Sequence, residues 1–286
     1  MVMVTLKDYE GGETAWCPGC GNFGILAAVK RALVKLSLEP YQVLMVSGIG
    51  QAAKLPHYMK CNVFNGLHGR TLPVAAGARI ANPNLTVIAD GGDGDGYGEG
   101  GNHLIHAIRR NLDITYLVHD NQIYGLTKGQ ASPTSDEGFV TKTTPLGMFS
   151  RPLNPMALAI SLGASFVARG FSGEIEHLAD LIAQAIQNRG FSLVDILQPC
   201  VTYNRVNTYQ WYRSRVYKLD STYNPKDRMA AFQKAQEWGE RIPIGVIYTE
   251  DRPTYEERNP KITRMPLVEQ HHNIEDYEKV LEEFRV

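Results

Sequence analysis

Cysteine, long apolar stretches and an excess of charge of one sign are all scarce in this chain. Its 286 residues include four cysteines, and 30 acidic against 29 basic residues leave a formal net charge of −1. A nearly neutral chain gives no reason to expect binding to nucleic acid or to an anionic membrane. No stretch approaches the roughly 20 apolar residues that span a bilayer. We therefore expect a cytoplasmic protein of one large or two small domains.

Segments with the pattern of strands alternate with segments of helical pattern over the first two hundred residues. The predicted strands are Tyr41–Val46, Leu85–Asp90, Ile114–His119, Ala164–Ala168 and Ser192–Leu197. The predicted helices are Phe23–Leu38, Val74–Ile80, Asn102–Arg110, a helix capped by Asn154, and Gly173–Asn188. The alternation predicts an α/β fold, in which a parallel sheet carries helices on both faces and ligands at the carboxyl ends of its strands.

Three regions lie outside this pattern. Residues 51–73 and 124–151 lack a clear period and are predicted to be long connections, which are often functional. From 204 to 270 the sequence is rich in Tyr, Arg, Pro and Asn and again has little period, before a short helix near Ile274–Phe284. We therefore predict an α/β domain at residues 1–203 and an irregular C-terminal arm at residues 204–286 that packs on another protein surface.

A Gly-Asp-Gly motif, Gly92-Asp93-Gly94, follows one predicted strand, and Asn121 follows the next. The motif lies in a stretch, residues 91–101, that is too glycine-rich for strand or helix, and a helix begins after it. A glycine loop that opens a helix turns backbone N–H groups toward an anion. Asp93 and the Asn121 side chain can then place hard oxygen ligands on a cation that bridges diphosphate oxygens, a role that suits Mg²⁺.

Other interpretations of this glycine loop compete with the diphosphate site. Gly96, Gly98 and Gly101, with Asp120 about twenty residues on, satisfy a dinucleotide-binding pattern, but that pattern alone is weak. It also leaves Asp93 and Asn121 without a role. A calcium-binding EF-hand loop is excluded because its twelfth position would be Leu104 rather than Glu. A tight turn without a ligand remains as the structural alternative.

The four cysteines form a second group of candidate ligands. Cys17-Pro-Gly-Cys20 has the two-residue spacing that lets both thiolates reach one metal centre, and Cys61 and Cys200 complete a set of four. Four thiolates suit a tetrahedral zinc or a 4Fe–4S cluster. Zinc would be structural, whereas a cluster would carry electrons. Cys61 and Cys200 are equally compatible with roles as small buried hydrophobes.

A series of motifs along residues 10–205 is similar to the β subunits of 2-oxoacid:ferredoxin oxidoreductases. They are Trp16-Cys-Pro-Gly-Cys-Gly21, Ser47-Gly-Ile-Gly50, Gly66-Leu-His-Gly-Arg-Thr-Leu-Pro73, Gly91-Gly-Asp-Gly-Asp95, Gly101-Asn-His103 and Asp120-Asn-Gln-Ile-Tyr-Gly-Leu-Thr-Lys-Gly-Gln130. The resemblance implies a thiamine diphosphate-binding fold and CoA-dependent oxidative decarboxylation of a 2-oxoacid, or the reverse carboxylation. It implies thiamine diphosphate, Mg²⁺ and a 4Fe–4S cluster as cofactors. The implied partners are an α (or fused γα) subunit, which supplies the activating glutamate, and ferredoxin.

The same resemblance assigns roles to individual residues. It implies that Mg²⁺ is held by Asp93, the Asn121 side chain and the backbone carbonyl of Ile123, and that the cluster is held by Cys17, Cys20, Cys61 and Cys200. The cofactor-binding residues are predicted to be Gly48, Ile49, Gly50, His68, Gly92, Asp93, Gly94, Asp95, Asn121, Ile123, Tyr124, Gly125, Leu126 and Thr127. The predicted catalytic residues are His68, Arg70 and Lys128. A lysine at 128 favours a 2-oxoacid with an acidic tail, 2-oxoglutarate, over pyruvate.

One position departs from the family pattern. The third cluster cysteine usually follows Ser-Gly-Ile-Gly directly, but here that position is Gln51, and Cys61 comes ten residues later. Either the intervening loop folds back so that Cys61 supplies the missing thiolate, or the cluster has an altered ligand or is absent. Three functions therefore stay open: the oxidoreductase β subunit, a cluster-free thiamine diphosphate decarboxylase or lyase, and a zinc-stabilised interaction subunit. We favour the first, with Cys61 as a ligand.

Overall fold

The computed structural model describes residues 3–271 and 273–285, so residues 1, 2, 272 and 286 of the predicted domain and arm lie outside the described part. The strands are β1 (Val43–Ser47), β2 (Asn62–Asn65), β3 (Thr86–Gly92), β4 (Thr115–Asp120), β5 (Ile123–Tyr124), β6 (Gln130–Ala131), β7 (Phe166–Phe171), β8 (Ser192–Leu197), β9 (Val216–Lys218) and β10 (Ile242–Thr249). The helices are α1 (Asn22–Lys35), α2 (Thr71–Ala81), α3 (Gly101–Arg110), α4 (Pro155–Ser161), α5 (Ile175–Gln187), α6 (Tyr209–Arg213), α7 (Arg228–Ala235), α8 (Tyr255–Arg258), α9 (Pro260–Arg264) and α10 (Ile274–Glu282).

Eight of the strands form one sheet, in the order β2-β1-β3-β4-β8-β7-β10-β9. The first six strands in this order, which end with β7, run parallel to one another. Strand β10 pairs antiparallel with β7 and parallel with β9. The prediction of a mainly parallel sheet is therefore confirmed. Because the parallel strands share one direction, the ends of β1, β3, β4 and β8 meet along a single edge of the sheet.

Helices cover both faces of the sheet, as predicted. Helices α1 and α5 pack on one face, and α2, α3, α4 and α7 pack on the other. In α5, Leu178, Leu181, Ile182 and Ala185 recur at helical spacing and are almost fully buried. Each of the leucine and isoleucine side chains contributes about 2 kcal/mol of hydrophobic free energy to folding. Among the described residues, no helix is both long enough and apolar enough to cross a bilayer.

Two segments that were predicted to be irregular contain regular structure. Between residues 51 and 73, Ala52–Tyr58 forms a 3₁₀ helix, β2 adds a parallel strand beside β1, and α2 begins at Thr71 rather than Val74. The glycine-rich stretch at 91–101 was wrongly predicted to be neither strand nor helix. Strand β3 extends to Gly92 and Gly94–Glu99 is a π-helix that continues into α3. Glycine's weak propensity conceals this continuity in the sequence.

The segment after residue 204 is also more regular than the sequence predicted. Residues 209–249 form α6, β9, α7 and β10, and the eight-residue β10 lies in the main sheet. Farther along, Glu256 in α8 accepts a hydrogen bond from Arg79 in α2 at 2.9 Å, and Arg79 also pairs with Asp113 at 2.6 Å. These contacts fasten the segment to the α/β core. The packing of residues 204–286 on a partner stays a prediction.

Candidate cofactor site

A cleft lies at the shared edge of the sheet, just beyond the ends of β1, β3 and β4. Its volume, with the open mouth included, is about 540 Å³. It is lined by Ile49, Gly50, Gln51, Ala52, His68, Gly92, Asp93, Gly94, Asp95, Asn121, Ile123, Tyr124, Gly125, Leu126 and Thr127. Every predicted cofactor residue except Gly48 is in this lining. Gly48 lies directly behind it, where a Cβ atom would stand 2.0 Å from Asp95 Oδ2.

Asp93 occupies the turn from β3 into the π-helix and is only 1% exposed. Its Oδ2 accepts hydrogen bonds from Ser132 Oγ at 2.5 Å and from Thr134 Oγ1 at 2.7 Å. Burial raises the pKa of Asp93 because the charged carboxylate is deprived of water. A cation in the cleft would favour the ionised form and reverse that effect. The chemistry of this carboxylate therefore fits a metal-binding role.

A second carboxyl group supports Asp93 from below the cleft. Thr134 Oγ1 lies 2.7 Å from Asp93 Oδ2 and also 2.7 Å from Asp120 Oδ1. A hydroxyl has one hydrogen, so Thr134 can serve both oxygens only if one carboxyl group is protonated and donates to it. Burial, followed by the charges of Asp195 and Asp93, raises the pKa of Asp120 well above its usual value. Burial thus favours the protonated form of Asp120.

The backbone of the glycine loop approaches aromatic rings so closely that side chains are excluded. A Cβ atom on Gly94 would lie 2.3 Å from Tyr124 Cε1, and one on Gly96 would lie 2.0 Å from the Tyr116 hydroxyl. The Tyr124 hydroxyl lies 3.2 Å from the carbonyl oxygen of Gly94 and 3.1 Å from Glu99 Oε2, and it can donate its one hydrogen to either. The loop is therefore held rigidly with bare backbone toward the cleft. Such a surface suits the close approach of a phosphate group.

Asn121 lies beside Asp93 because β4 is the neighbour of β3 in the sheet. Its Oδ1 accepts from the Ile123 amide at 3.1 Å, and its Nδ2 donates to Gln198 Oε1 at 2.8 Å. One carboxylate, one side-chain amide and the nearby Ile123 carbonyl form a set of hard oxygen donors. This set fits Mg²⁺ with a diphosphate as its remaining ligand. The assignment of these three ligands stays a prediction.

Asp95 lines the cleft, but its oxygens are already engaged. Oδ1 accepts from the Ile49 amide at 3.0 Å, His68 Nδ1 at 2.6 Å and the Gly69 amide at 2.8 Å, and Oδ2 accepts from Thr71 Oγ1 at 3.1 Å. Asp95 thus binds two loops to the π-helix. His68 is held on its other side by Glu99, whose Oε2 lies 3.2 Å from His68 Nε2.

The three predicted catalytic residues lie in different places. His68 is in the cleft lining, whereas Arg70 and Lys128 are exposed and are not among the lining residues. Arg70 makes a long contact of 3.5 Å from Nη1 to the Gly69 carbonyl oxygen. Lys128 has a left-handed backbone with φ of 77°, and it directly follows the lining residue Thr127. Lys128 is therefore adjacent, along the chain, to the lining of the cleft.

Three of the four cysteines lie near the carboxyl edge of the sheet. The loop of Cys17 and Cys20 meets the segment before Cys200, because the Gly21 amide donates to the Pro199 carbonyl oxygen at 3.2 Å. Burial raises the pKa of Cys20 to about 11, and the neighbouring Cys200 and Cys17 add to the shift. Among the described residues, no three His, Cys, Asp or Glu side chains converge on one metal ion. The predicted cluster on Cys17, Cys20, Cys61 and Cys200 stays a prediction.

Cys61 lies apart from this group. It precedes β2, and the pairing of Leu44 with Asn62 places it level with Val43, at the amino end of β1. The other three cysteines lie beyond the carboxyl ends of the strands. With about 3.3 Å per residue, a five-residue strand separates the two edges by more than 10 Å. The sequence-based expectation that the loop folds back is not met, because β2 runs parallel to β1 and fixes Cys61 at the far edge.

We predict that Cys61→Ala leaves the iron content of the protein unchanged. The half-buried Cys61 packs against the apolar core around α1, so the substitution costs about 1 kcal/mol of stability at most. Iron per chain after anaerobic reconstitution of the complex with the partner subunit is the measurement. Cys20→Ala is the matched control and is expected to lower the iron content. Equal losses of iron from both variants would contradict the placement of Cys61.

Sequence reasoning missed several residues of the site. Ser132 and Thr134, which hold Asp93, come from the long connection that had no period. Gln51 and Ala52 line the cleft, and Trp16 Nε1 donates to the Gln51 carbonyl oxygen at 2.8 Å. For Gln198, which contacts Asn121, one feature of the sequence could have indicated a role in the site. It immediately follows the predicted strand Ser192–Leu197, in the position that Asn121 holds after its own strand.

Comparison with known proteins agrees with this geometry. Residues 43–196, more than half of the chain, match the family model "Thiamine pyrophosphate enzyme, C-terminal TPP binding domain". Residues 200–264 match a second family model, which describes the C-terminal part of the pyruvate ferredoxin oxidoreductase β chain. The β subunit of 2-oxoacid:ferredoxin oxidoreductase 1 of Aeropyrum pernix is 47% identical over 255 residues, which cover 85% of this chain and 80% of that protein. The chain belongs to the β subunits of the 2-oxoacid:ferredoxin oxidoreductases.

Two further relatives have narrower names than this family. The 2-oxoglutarate oxidoreductase subunit KorB of Mycobacterium tuberculosis is 44% identical over 199 residues, which cover 69% of this chain and 53% of that protein. The solved structure of a 2-oxoglutarate:ferredoxin oxidoreductase from Magnetococcus marinus, with 2-oxoglutarate, coenzyme A and succinyl-CoA bound, is 37% identical with a TM-score of 0.90. The match covers 97% of this chain and 96% of the chain in the solved structure. The sequence-based family and fold are therefore confirmed.

Proposed function

We propose that this β subunit, with an α or fused γα partner, catalyses the CoA-dependent oxidative decarboxylation of 2-oxoglutarate to succinyl-CoA, or the reverse carboxylation. Ferredoxin is the proposed electron acceptor or donor. The observation that carries the proposal is the cleft in which Asp93 and Asn121 meet at the ends of neighbouring strands. The names of the KorB relatives support 2-oxoglutarate as the substrate.

Thiamine diphosphate, when bound, supplies a nucleophilic carbon and stabilises the carbanion left by decarboxylation. The roles of the protein are binding and orientation. Asp93, the Asn121 side chain and the Ile123 carbonyl would hold Mg²⁺, and the backbone of Gly92 and Gly94 would face the diphosphate. His68, with its two ring nitrogens held by Asp95 and Glu99, would form part of the wall of the cofactor cleft. Leu126 and Thr127, farther along the cleft lining, would face the substrate.

The partner subunit is proposed to close the cleft. The loop from Gly138 to Phe149 projects Val140, Leu146 and Phe149, which are 65%, 83% and 81% exposed. Large apolar side chains that are exposed in one loop are typical of protein interfaces. By the family resemblance, the activating glutamate comes from the partner. We therefore expect the isolated chain to have no decarboxylase activity.

Electron transfer through an iron–sulfur cluster on Cys17, Cys20 and Cys200 is the proposed route to ferredoxin. The position of Cys61 gives specific support to a second candidate, a cluster-free thiamine diphosphate decarboxylase. Iron analysis and ferredoxin reduction by the anaerobically purified complex separate the two. The oxidoreductase reduces ferredoxin and forms succinyl-CoA, whereas the decarboxylase releases the aldehyde without reducing ferredoxin.

We predict that Lys128→Met raises the KM for 2-oxoglutarate about tenfold and changes the KM for pyruvate little. The reason is that a lysine that follows the cleft lining would pair with the distal carboxylate of 2-oxoglutarate, and a charge-assisted hydrogen bond contributes about 1.5 kcal/mol. Steady-state rates of the complex on a panel of 2-oxoacids test this. Lys226→Met, which removes an exposed lysine paired with Asp251, is the control. Equal KM changes for both substrates would count against a role in selectivity.

A further inference from the structure

Three arginines around α6, β9 and β10 lie over aromatic rings, and we call them the arginine cluster. The pairs, with the distance from the guanidinium carbon to the ring centroid, are Arg215 and Trp211 at 4.5 Å, Arg241 and Tyr217 at 4.5 Å, and Arg213 and Tyr209 at 5.6 Å. The face of a ring attracts a cation and restrains the plane of the guanidinium group. The cluster is therefore partly organised before any partner binds.

The arginine cluster has no carboxylate partner among the described residues. The arginines that form ion pairs in that part of the chain are Arg31, Arg79 and Arg189. Within the cluster, Arg215 Nη1 donates to the Trp211 carbonyl oxygen at 3.1 Å and to the Ser214 hydroxyl at 2.9 Å. A guanidinium group has five N–H donors, so most of the donors of the cluster are available to an external acceptor.

Arg215 and Arg241 are neighbours because each directly precedes one strand of a parallel pair. The first residues of β9 and β10 are opposite each other, and the Ile242 amide donates to the Arg215 carbonyl oxygen at 2.9 Å. The nearby carboxylate of Glu237 is already held by Lys234 Nζ at 2.5 Å. Two positive charges thus lie side by side, and an anion bound between them would relieve their repulsion.

The arginine cluster lies at the same edge of the sheet as the cofactor cleft. Strand β10 runs antiparallel to β7, with Gly245 opposite Arg169, so its first residue, Ile242, lies at the edge where β7 ends. Strand β7 is parallel to β8, β4 and β3, and the cleft lies beyond the ends of β3 and β4. A protein that closes the cleft therefore approaches the edge that carries the cluster.

The arginine cluster is also linked to the loop at residues 138–149, which carries the exposed apolar side chains. Trp238 Nε1 donates to Asp136 Oδ1 at 3.0 Å, two residues before this loop begins. The Trp238 ring lies 6.0 Å from the ring of Trp211, on which Arg215 lies. Apolar side chains flanked by arginine and tryptophan match the composition of protein interfaces, in which charged groups steer and orient the partner.

We infer that the arginine cluster docks a carboxylate-rich surface of the partner subunit, beside the apolar loop. The inference rests on the proposed function, which places a partner subunit over the cleft. Guanidinium groups bind carboxylates through two parallel N–H bonds, a geometry that restrained arginines can offer at low entropic cost. Added salt screens such charges, so the affinity between the two subunits falls as the salt concentration rises.

The test replaces Arg215 and Arg241 together with methionine, which keeps an apolar stem on each ring and removes the charge. The dissociation constant of the full chain for its partner subunit is measured at low and at high salt. We expect about tenfold weaker binding at low salt and little difference from the wild type at high salt. Arg110→Met is the matched control, because Arg110 is exposed at the end of α3, at the opposite edge of the sheet.

Two other variants keep the test decisive if the double methionine variant folds poorly. Lysine at both positions preserves the charge and is expected to keep the salt dependence of the wild type. Arg213→Met changes a single exposed side chain and is expected to weaken binding about threefold at low salt. Circular dichroism of the full-length variants identifies a folding defect independently of binding.

The possible outcomes separate docking from function. Wild-type affinity and salt dependence in the methionine variants would overturn the inference. Normal subunit assembly combined with lost binding of ferredoxin or CoA would also overturn it, because the arginine cluster would then serve another anion. Thiamine diphosphate binding by the wild-type complex is measured in parallel, and its absence would count against the proposed function whatever the assembly results.

Discussion

Replacing Asp93 with alanine is expected to abolish the binding of Mg²⁺ and thiamine diphosphate. Asp93 is the carboxylate that lies beside Asn121 with no basic side chain among its hydrogen-bonding partners in the described structure, so its charge is available to a cation. Its loss removes a charged ligand, and we expect affinity to fall by on the order of 100-fold or more. Thiamine diphosphate and magnesium per chain, measured after desalting the complex, give the result directly.

The same variant tests whether the cofactor cleft and the cysteine site are separate. Because Asp93 does not contact the cysteines, iron content is expected to match that of the wild type. Asp93→Asn is the matched control for folding, since the amide oxygen still accepts from Ser132 and Thr134. It should keep the thermal stability of the complex while losing most of the cofactor. Simultaneous loss of iron and cofactor from Asp93→Ala would show that the two sites do not fold independently.

Local patterns in the sequence were sufficient to predict the central part of the fold. Strand β8 was predicted at its observed bounds, Ser192–Leu197, because a short apolar run between turn residues is what a buried parallel strand needs. Asn154 caps α4 as predicted, since its Oδ1 accepts from the Ala157 amide. Asp93 and Asn121 could also be predicted, because side chains at the ends of adjacent parallel strands converge, whereas the other cleft residues were assigned from the family resemblance.

Long-range pairing was where prediction from the sequence failed. Strand β10 pairs with β7, more than seventy residues earlier, and the glycine at position 245 and the proline at 243 weaken its local signal. The position of Cys61 was mispredicted for a related reason, because the number of cysteines contains no information about the register of β2. The pairing of β2 with β1 holds Cys61 at the amino edge of the sheet, and nothing in the spacing from Cys20 to Cys61 encodes that pairing.

Asp95→Ala is the second substitution for which we expect a large effect. The carboxylate accepts hydrogen bonds from the amides of Ile49 and Gly69 and from the side chains of His68 and Thr71. Alanine would leave the buried Gly69 amide and its neighbours without an acceptor, at a cost of about 3 kcal/mol in the free energy of unfolding. For a chain of this size that corresponds to a fall of roughly 5–10 °C in melting temperature. Differential scanning calorimetry of the complex measures it.

Asparagine at the same position should behave differently from alanine. Its Oδ1 can still accept from Ile49 and Gly69, and the Thr71 hydroxyl can rotate to accept from Nδ2, so we expect a loss of about 1 kcal/mol. The pair of carboxylates two residues apart would then have distinct roles. Asp93→Ala removes the cofactor and leaves the fold, whereas Asp95→Ala weakens both, since it releases the loops that carry Ile49 and His68. A melting temperature of Asp95→Ala equal to that of the wild type would contradict the structural role assigned to Asp95.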